Sequence, residues 1–211
     1  LVDNLLAAHP AVYAAGPLES MNKLMSLVPA ELLDGDEDWY SEDDFWDEIN
    51  LLHQRYTTNL DMFNTTLPVI TDSNPMNFRW IGFILAAFPD AAVIHITRDP
   101  LATCASIYKD YFAEAGLRFA CDQGWIAEYY NEYQELMASW HEQFPGKILD
   151  IGFEALTAEP DAEIRKTLGF CGLPWDDACL EAYGASRETS DTEVWRKYDP
   201  WLTRLKAEFA G

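Results

Sequence analysis

The sequence predicts an α/β fold, a central parallel sheet flanked by helices on both faces, within one domain covering residues 1–211. Four short apolar runs, "AVYAAG" at 11–16, "LPVITDSN" at 67–74, "AAVIHITRD" at 91–99 and "GKILDIGFE" at 146–154, each end in polar residues or glycine. Strands buried on both faces read as continuous apolar runs in this way. Longer stretches of helical period separate the four runs. That alternation of strand and helix favours parallel pairing.

The elements follow in order. "LVDNLLAAHP" sets Leu1, Val2, Leu5 and Leu6 at helical spacing and stops at Pro10, whose ring disfavours helix in the residue before it. The chain opens inside this pattern and without Met, so a preceding segment is expected. After the first strand run, "ESMNKLMSLV" begins a helix at Glu19. In "DGDEDWYSEDDFWDEINLLHQRYTTNLDMF", Trp39, Phe45, Trp46, Ile49, Leu52 and Tyr56 can share one face among nine acids from Asp34 to Glu48. This predicts a solvated amphipathic helix pair, with a docking surface as the alternative use of that face. "GWIAEYYNEYQELMASWHEQF" carries Trp125, Ile126, Tyr129, Tyr130, Tyr133, Leu136, Met137 and Trp140 at i, i+3, i+4 spacing, a long helix packed by its aromatic face. "EPDAEIRKTLGFCGLPW" is a further helix, with Pro160 and Asp161 at its start and a Gly/Pro stop.

Composition excludes several functions. With 36 acidic against 14 basic side chains and a net charge of −22, the composition argues strongly against nonspecific binding to nucleic acid or anionic membrane, since phosphate neutralisation needs clustered Lys and Arg. No apolar run approaches the roughly 18 residues of a spanning helix, and no signal-peptide pattern is present. Cys104, Cys121, Cys171 and Cys179 lack CxxC or Cys/His spacing, and His9, His53, His95 and His141 form no HExxH pair, so no zinc site is expected. Scattered cysteines in a chain this long read as buried thiols and suit a cytoplasmic setting.

One segment stands apart from this acidic background. "VIHITRDPLATCASIY" places Arg98 at the junction of a strand run and a helix run. Ligands of open parallel sheets bind at the carboxyl ends of strands, where the next helix starts. Asp99 suits the N-cap and Pro100 the first helical position, so the helix aims its positive terminus at the same spot. Ser106, about two helical turns further on, can add a hydroxyl. Two readings of this spacing stand: an anion site, or Arg98 paired with a neighbouring carboxylate.

"AVIHITRDPLATCASIY" resembles the 3′-phosphate-binding segment of sulfotransferases, in which an arginine and a serine eight positions later hold the 3′-phosphate of the donor, 3′-phosphoadenosine 5′-phosphosulfate. "LVDNLLAAHPAVYAAGPLE", "ITDSNPMNFRWIGFILAAFPDA" and "ILDIGFEALTAEP" are similar to bacterial and tetratricopeptide-linked sulfotransferases and, more distantly, to tyrosylprotein sulfotransferases. The resemblance implies a P-loop-like α/β fold and Arg98 and Ser106 as donor-binding residues. It also implies a Gly-rich donor loop ahead of Leu1. Sulfuryl transfer is an in-line displacement that depends on positioning, a base for the acceptor and cations or amides at the leaving phosphate; no divalent metal is required.

Glu19, in "GPLE" where similar enzymes carry "GELE" or "GEE", is the candidate base, its other reading being an acid at a helix start. His9 is the alternative base. Ser73 stands where many relatives have a lysine near the bridging oxygen. "SRETSDTEVWRKYDP" resembles the family's stretch ending "RW.RYEP" but is several residues shorter, leaving Arg187, Arg196 and Lys197 as further candidates for the 3′-phosphate. Five of the 14 basic residues lie between Arg187 and Lys206; helix-end charge balance is the other reading of that cluster. The acceptor implied is a small molecule, carbohydrate or peptide bearing a hydroxyl or amine. Two rivals remain: a kinase or NTPase, which would carry GxxxxGK[ST] ahead of the first strand, and a non-catalytic interaction domain.

Overall fold

In the computed structural model, residues 1–29, 41–109, 118–186 and 194–209 are described. All four apolar runs form strands, though short ones. Strand β1 (Val12–Ala14) lies parallel to β2 (Val69–Thr71), with Val12 opposite Val69 and Ala14 opposite Thr71. Strand β3 (Val93–Thr97) pairs with β4 (Ile148–Gly152). The fold is α/β and rich in helix, as expected, but the sheet is small and not strictly central: among the described residues it is two two-stranded pieces. The ladders are cut short by local turn chemistry. Gly16 turns the chain at φ +74° after β1, a conformation that favours glycine. Beyond β2, the Asp72 carboxylate accepts from the Asn74 amide at 3.0 Å, an Asx turn that ends extended structure.

The chain divides into two compact units, Leu1–Val93 with Asp176–Tyr183, and Ile94–Trp175 with Gly184–Gly211. In the first, helix α1 (Val2–Ala7) packs on β1 and buries Leu5 and Leu6. Helix α2 (Ser20–Met25) packs against α3 (Glu42–Asp61), and α3 against α4 (Ile81–Ala87), which follows a 3-10 helix at Pro75–Trp80. A capping box starts α3: the Ser41 hydroxyl accepts from the Asp44 amide at 3.2 Å while the Asp44 carboxylate accepts from the Ser41 amide at 2.9 Å. Ile49 and Leu52 are buried with Met21, Leu24, Met25 and Ala87, and Phe45 and Tyr56 pack at the margin. Trp46 is instead 46% exposed, because it sits one residue, about 100°, around the helix from Phe45. Trp39 and the acids from Asp34 to Asp38 lie outside the described residues, so α3 is the described part of the expected helix pair.

In the second unit, α5 (Pro100–Lys109) packs against α6 (Gln123–Gln143). Helix α6 starts where Asp122 accepts from the amides of Gly124 and Trp125 at 2.8 and 3.1 Å. Cys104, Ala105, Ile126 and Ala127 form a core with Leu202 and with Leu205 of α10 (Thr203–Glu208). The aromatic stripe of α6 is packed only in part: Ile126 and Met137 are buried, Trp125 is 53% exposed. Helix α7 (Phe153–Ala158) and α8 (Pro160–Phe170) both pack on β4, and α9 (Asp177–Ser186) contributes residues to each unit. The predicted glycine stop of α8 is a Schellman motif at Gly172, φ +68°, with Leu173 N–H donating to the Leu168 carbonyl at 2.9 Å. Among the described residues no helix is long and apolar enough to cross a membrane.

Candidate functional site

The tip of β3 gathers the groups that the spacing picked out. As expected, Asp99 caps α5: its carboxylate accepts from the Ala102 amide at 2.7 Å and its carbonyl accepts from the Thr103 hydroxyl at 3.0 Å. With Pro100 locked at the first helical position, the helix starts directly after the strand. Arg98 Nη1 donates to Ser106 Oγ at 3.4 Å, and Ser106 in turn donates to the Ala102 carbonyl at 2.9 Å. The guanidinium lies 4.9 Å from the centre of the Phe153 ring. The Asp99 amide donates to the Glu154 carboxylate at 3.2 Å. A planar cation held between a hydroxyl and an aromatic face, beside a helix N-terminus, can receive an anion. To bind one, Ser106 has to swing its proton away from Ala102, and Glu154 competes for the same backbone amide.

Linear spacing did not reveal Phe153 and Glu154. They reach Arg98 and Asp99 because β4 pairs with β3 and runs straight into α7, and no pattern in the sequence specifies which strands are neighbours.

The first unit builds its own cluster at the ends of β1 and β2. Asp72 accepts from the amides of Leu18 and Asn74, both at 3.0 Å, and from the Tyr56 hydroxyl at 2.8 Å. Burial, aided by the Asp72 charge, raises the Tyr56 phenol above its ordinary value, so it stays protonated and donates. Asn74, buried, donates to the Leu18 carbonyl at 2.8 Å and to Glu19 Oε1 at 3.1 Å, while its own oxygen accepts from the Met76 amide at 2.9 Å. Two loops far apart in sequence are tied at one end of the parallel pair.

Glu19 and Ser73, two of the three candidates of this unit, are both exposed on these loops. Glu19 occupies the N-cap position of α2 without making a side-chain cap bond. Its carboxylate accepts instead from Asn74 and, at 3.5 Å, from Asn22, whose oxygen accepts from Trp80 Nε1 at 2.9 Å. Ser73 donates its amide to the Gly16 carbonyl at 2.9 Å and presents a neutral hydroxyl. His9 is 3% exposed and its Nδ1 accepts from the Ala11 amide at 3.1 Å, a turn-closing role. The sequence patterns single out neither Asp72 nor Asn74, although Asn before Pro75 is a recognisable N-cap signal.

The tail candidates divide. Arg187 lies outside the described residues. Arg196 and Lys197 are exposed on a 3-10 helix at Val194–Trp201, with the Arg196 guanidinium 5.4 Å from the centre of the Trp195 ring. Trp195 packs against the Cys104–Ile126 core.

A profile of the sulfotransferase family matches residues 1–177. The chain belongs to that family. It is 34% identical over 224 residues to an uncharacterized protein of Aquifex aeolicus, covering 96% of this chain and 29% of that protein. It is also similar to the protein-tyrosine sulfotransferase of Drosophila melanogaster, 27% identical over 121 residues (54% of this chain, 23% of the fly protein). With protein-tyrosine sulfotransferase 1 of Danio rerio it shares 24% identity over 142 residues (66% and 40%). The chain therefore spans less than a third of the length of the first two relatives.

Proposed function

We propose that this protein transfers a sulfuryl group from 3′-phosphoadenosine 5′-phosphosulfate to a hydroxyl or amine of a small-molecule, carbohydrate or peptide acceptor. The observation that carries the reading is the Arg98–Ser106 contact at the tip of β3, where α5 begins under the Asp99 cap. Arg98 and Ser106 would hold the 3′-phosphate, with Arg196, Lys197 and Arg187 adding positive charge. Glu19, held by Asn74, would take the acceptor proton. Ser73 can donate a hydrogen bond to the leaving phosphate but supplies no charge, so the burden of stabilising that group rests on other donors.

Titration calorimetry with 3′-phosphoadenosine 5′-phosphate tests the donor assignment. Losing one charge-assisted contact costs roughly 1.5–3 kcal/mol, so Arg98→Ala should bind about ten- to hundredfold more weakly. Equal affinity of the two proteins removes the assignment. Donor binding without sulfuryl transfer to any acceptor favours the interaction-domain alternative.

A further inference from the structure

The second unit brings together three side chains that the proposed transfer does not use. His95 of β3, His141 of α6 and Asp150 of β4 offer one ligand atom each, all within 4.8 Å of one another. His95 Nδ1 is 2.7 Å from Asp150 Oδ1, and His141 Nε2 is 3.2 Å from each Asp150 oxygen. We propose that His95, His141 and Asp150 form a binding site for a divalent transition ion of the zinc type, which clamps β3, β4 and α6 together.

Ligand chemistry selects the ion. Two imidazoles and one carboxylate suit zinc and its neighbours, whereas magnesium and calcium prefer all-oxygen shells. At zinc bond lengths of about 2.0–2.2 Å, tetrahedral ligand atoms stand about 3.4 Å apart, a spacing close to the 2.7 and 3.2 Å separations between the imidazole nitrogens and the Asp150 oxygens. Three protein ligands leave one position for water. The side chains are graded in exposure, 13% for His95, 37% for His141 and 49% for Asp150, so the site opens to solvent on one side and rests on packed structure on the other.

An outer layer is present as well. Tyr133, two helical turns before His141 on α6, hydrogen-bonds His95 Nε2, which orients the ring so that Nδ1 faces Asp150. Histidine ligands are commonly fixed through their second nitrogen in this way. The Lys166 ammonium donates to the Asp150 carbonyl at 3.0 Å and also faces Glu163 at 3.5 Å, so its charge is balanced. The chain's net charge of −22 attracts cations to the surface at long range. Linear spacing predicts no such site because the ligands sit on three elements, 9 to 55 residues apart.

Calorimetric titration of the protein with Zn²⁺, in excess Mg²⁺ to occupy the acidic surface, tests the proposal. Wild type should bind one ion per chain, with a rise in melting temperature. His141→Ala and Asp150→Asn, at a half-buried and an exposed position, should each weaken binding roughly tenfold or more, and Tyr133→Phe about ten- to hundredfold. Co²⁺ should give the intense visible band of four-coordinate geometry in wild type and lose it in His141→Ala. Absence of Zn²⁺ binding, or binding equally tight in wild type and His141→Ala, overturns the site. These readouts need no nucleotide, so they succeed or fail independently of the donor assignment.

Discussion

Asp72 is the residue on which the first unit's cluster depends most, and Asp72→Ala should show it. The substitution removes the acceptor of three hydrogen bonds, from Leu18 N–H, Asn74 N–H and Tyr56 O–H, at 3.0, 3.0 and 2.8 Å. A hydrogen bond to a charged group contributes roughly 1.5–3 kcal/mol. Water reaches this half-buried carboxylate and replaces part of what is lost, which brings the expected sum to about 3 kcal/mol. For a chain of this size each kcal/mol lowers the melting temperature by about 2–4 °C, a drop of roughly 6–12 °C. Asp72→Asn keeps an acceptor and should cost about 1 kcal/mol; Tyr56→Phe, which removes one donor alone, should also cost about 1 kcal/mol. Urea unfolding followed by circular dichroism, with unchanged slope, measures all three. Because Asn74 holds both Asp72's loop and Glu19, turnover in Asp72→Ala should fall further than donor affinity. If Asp72→Ala is within about 0.5 kcal/mol of wild type, the carboxylate does not tie the loops.

Three further outcomes follow from burial. Leu205 has no exposed surface and packs with Ile126 and Cys104, so Leu205→Ala should cost about 2–5 kcal/mol in a denaturant melt; a loss under 1 kcal/mol would mean that α10 does not complete this core. Burial, reinforced by Asp99, pushes the Cys104 thiol from its ordinary 9.0 up to about 12. The folded state then holds this proton more tightly than the unfolded state, so the contribution to stability is whole below pH 9 and is lost as pH rises toward 12. Melting temperatures across alkaline pH should fall less steeply in Cys104→Ala than in wild type. A thiol reagent should label exposed Cys121 at once and buried Cys104 and Cys179 only on unfolding; immediate labelling of Cys104 refutes its burial.

What the sequence disclosed divides by range. The four strands, the Asp99 cap, Pro160 at the start of α8 and the glycine stop at Gly172 were all readable, because each is decided by neighbours within a few residues. The local failures are of two kinds. The ladders proved shorter than the apolar runs, since Asp72 and Gly16 turn the backbone before the hydrophobic pattern ends. Of the four expected buried thiols, Cys104 and Cys179 are buried and Cys171 is half-buried, while Cys121 sits exposed at the end of a 3-10 turn at Arg118–Cys121, where no period marks an inward face.

The contacts that shape the sites are of another kind, long-range pairing. Asn74 reaches Glu19 across 55 residues, Glu154 reaches Asp99 across 55, and Asp150 reaches His95 across 55. None of these is encoded in a local motif; each follows from which strand lies beside which. Composition was also a poor guide at this scale. A charge of −22 describes the far field, but Arg98 is governed by what lies within a few ångströms: a serine hydroxyl, a phenyl face and the start of a helix. In the partly buried setting of Arg98 those groups act through a lower effective dielectric than the exposed acids, whose repulsion is screened over about 8–10 Å in physiological salt. A local anion site and an acidic surface can therefore coexist, provided that the guanidinium is fixed by packing rather than left to sample the surrounding carboxylates.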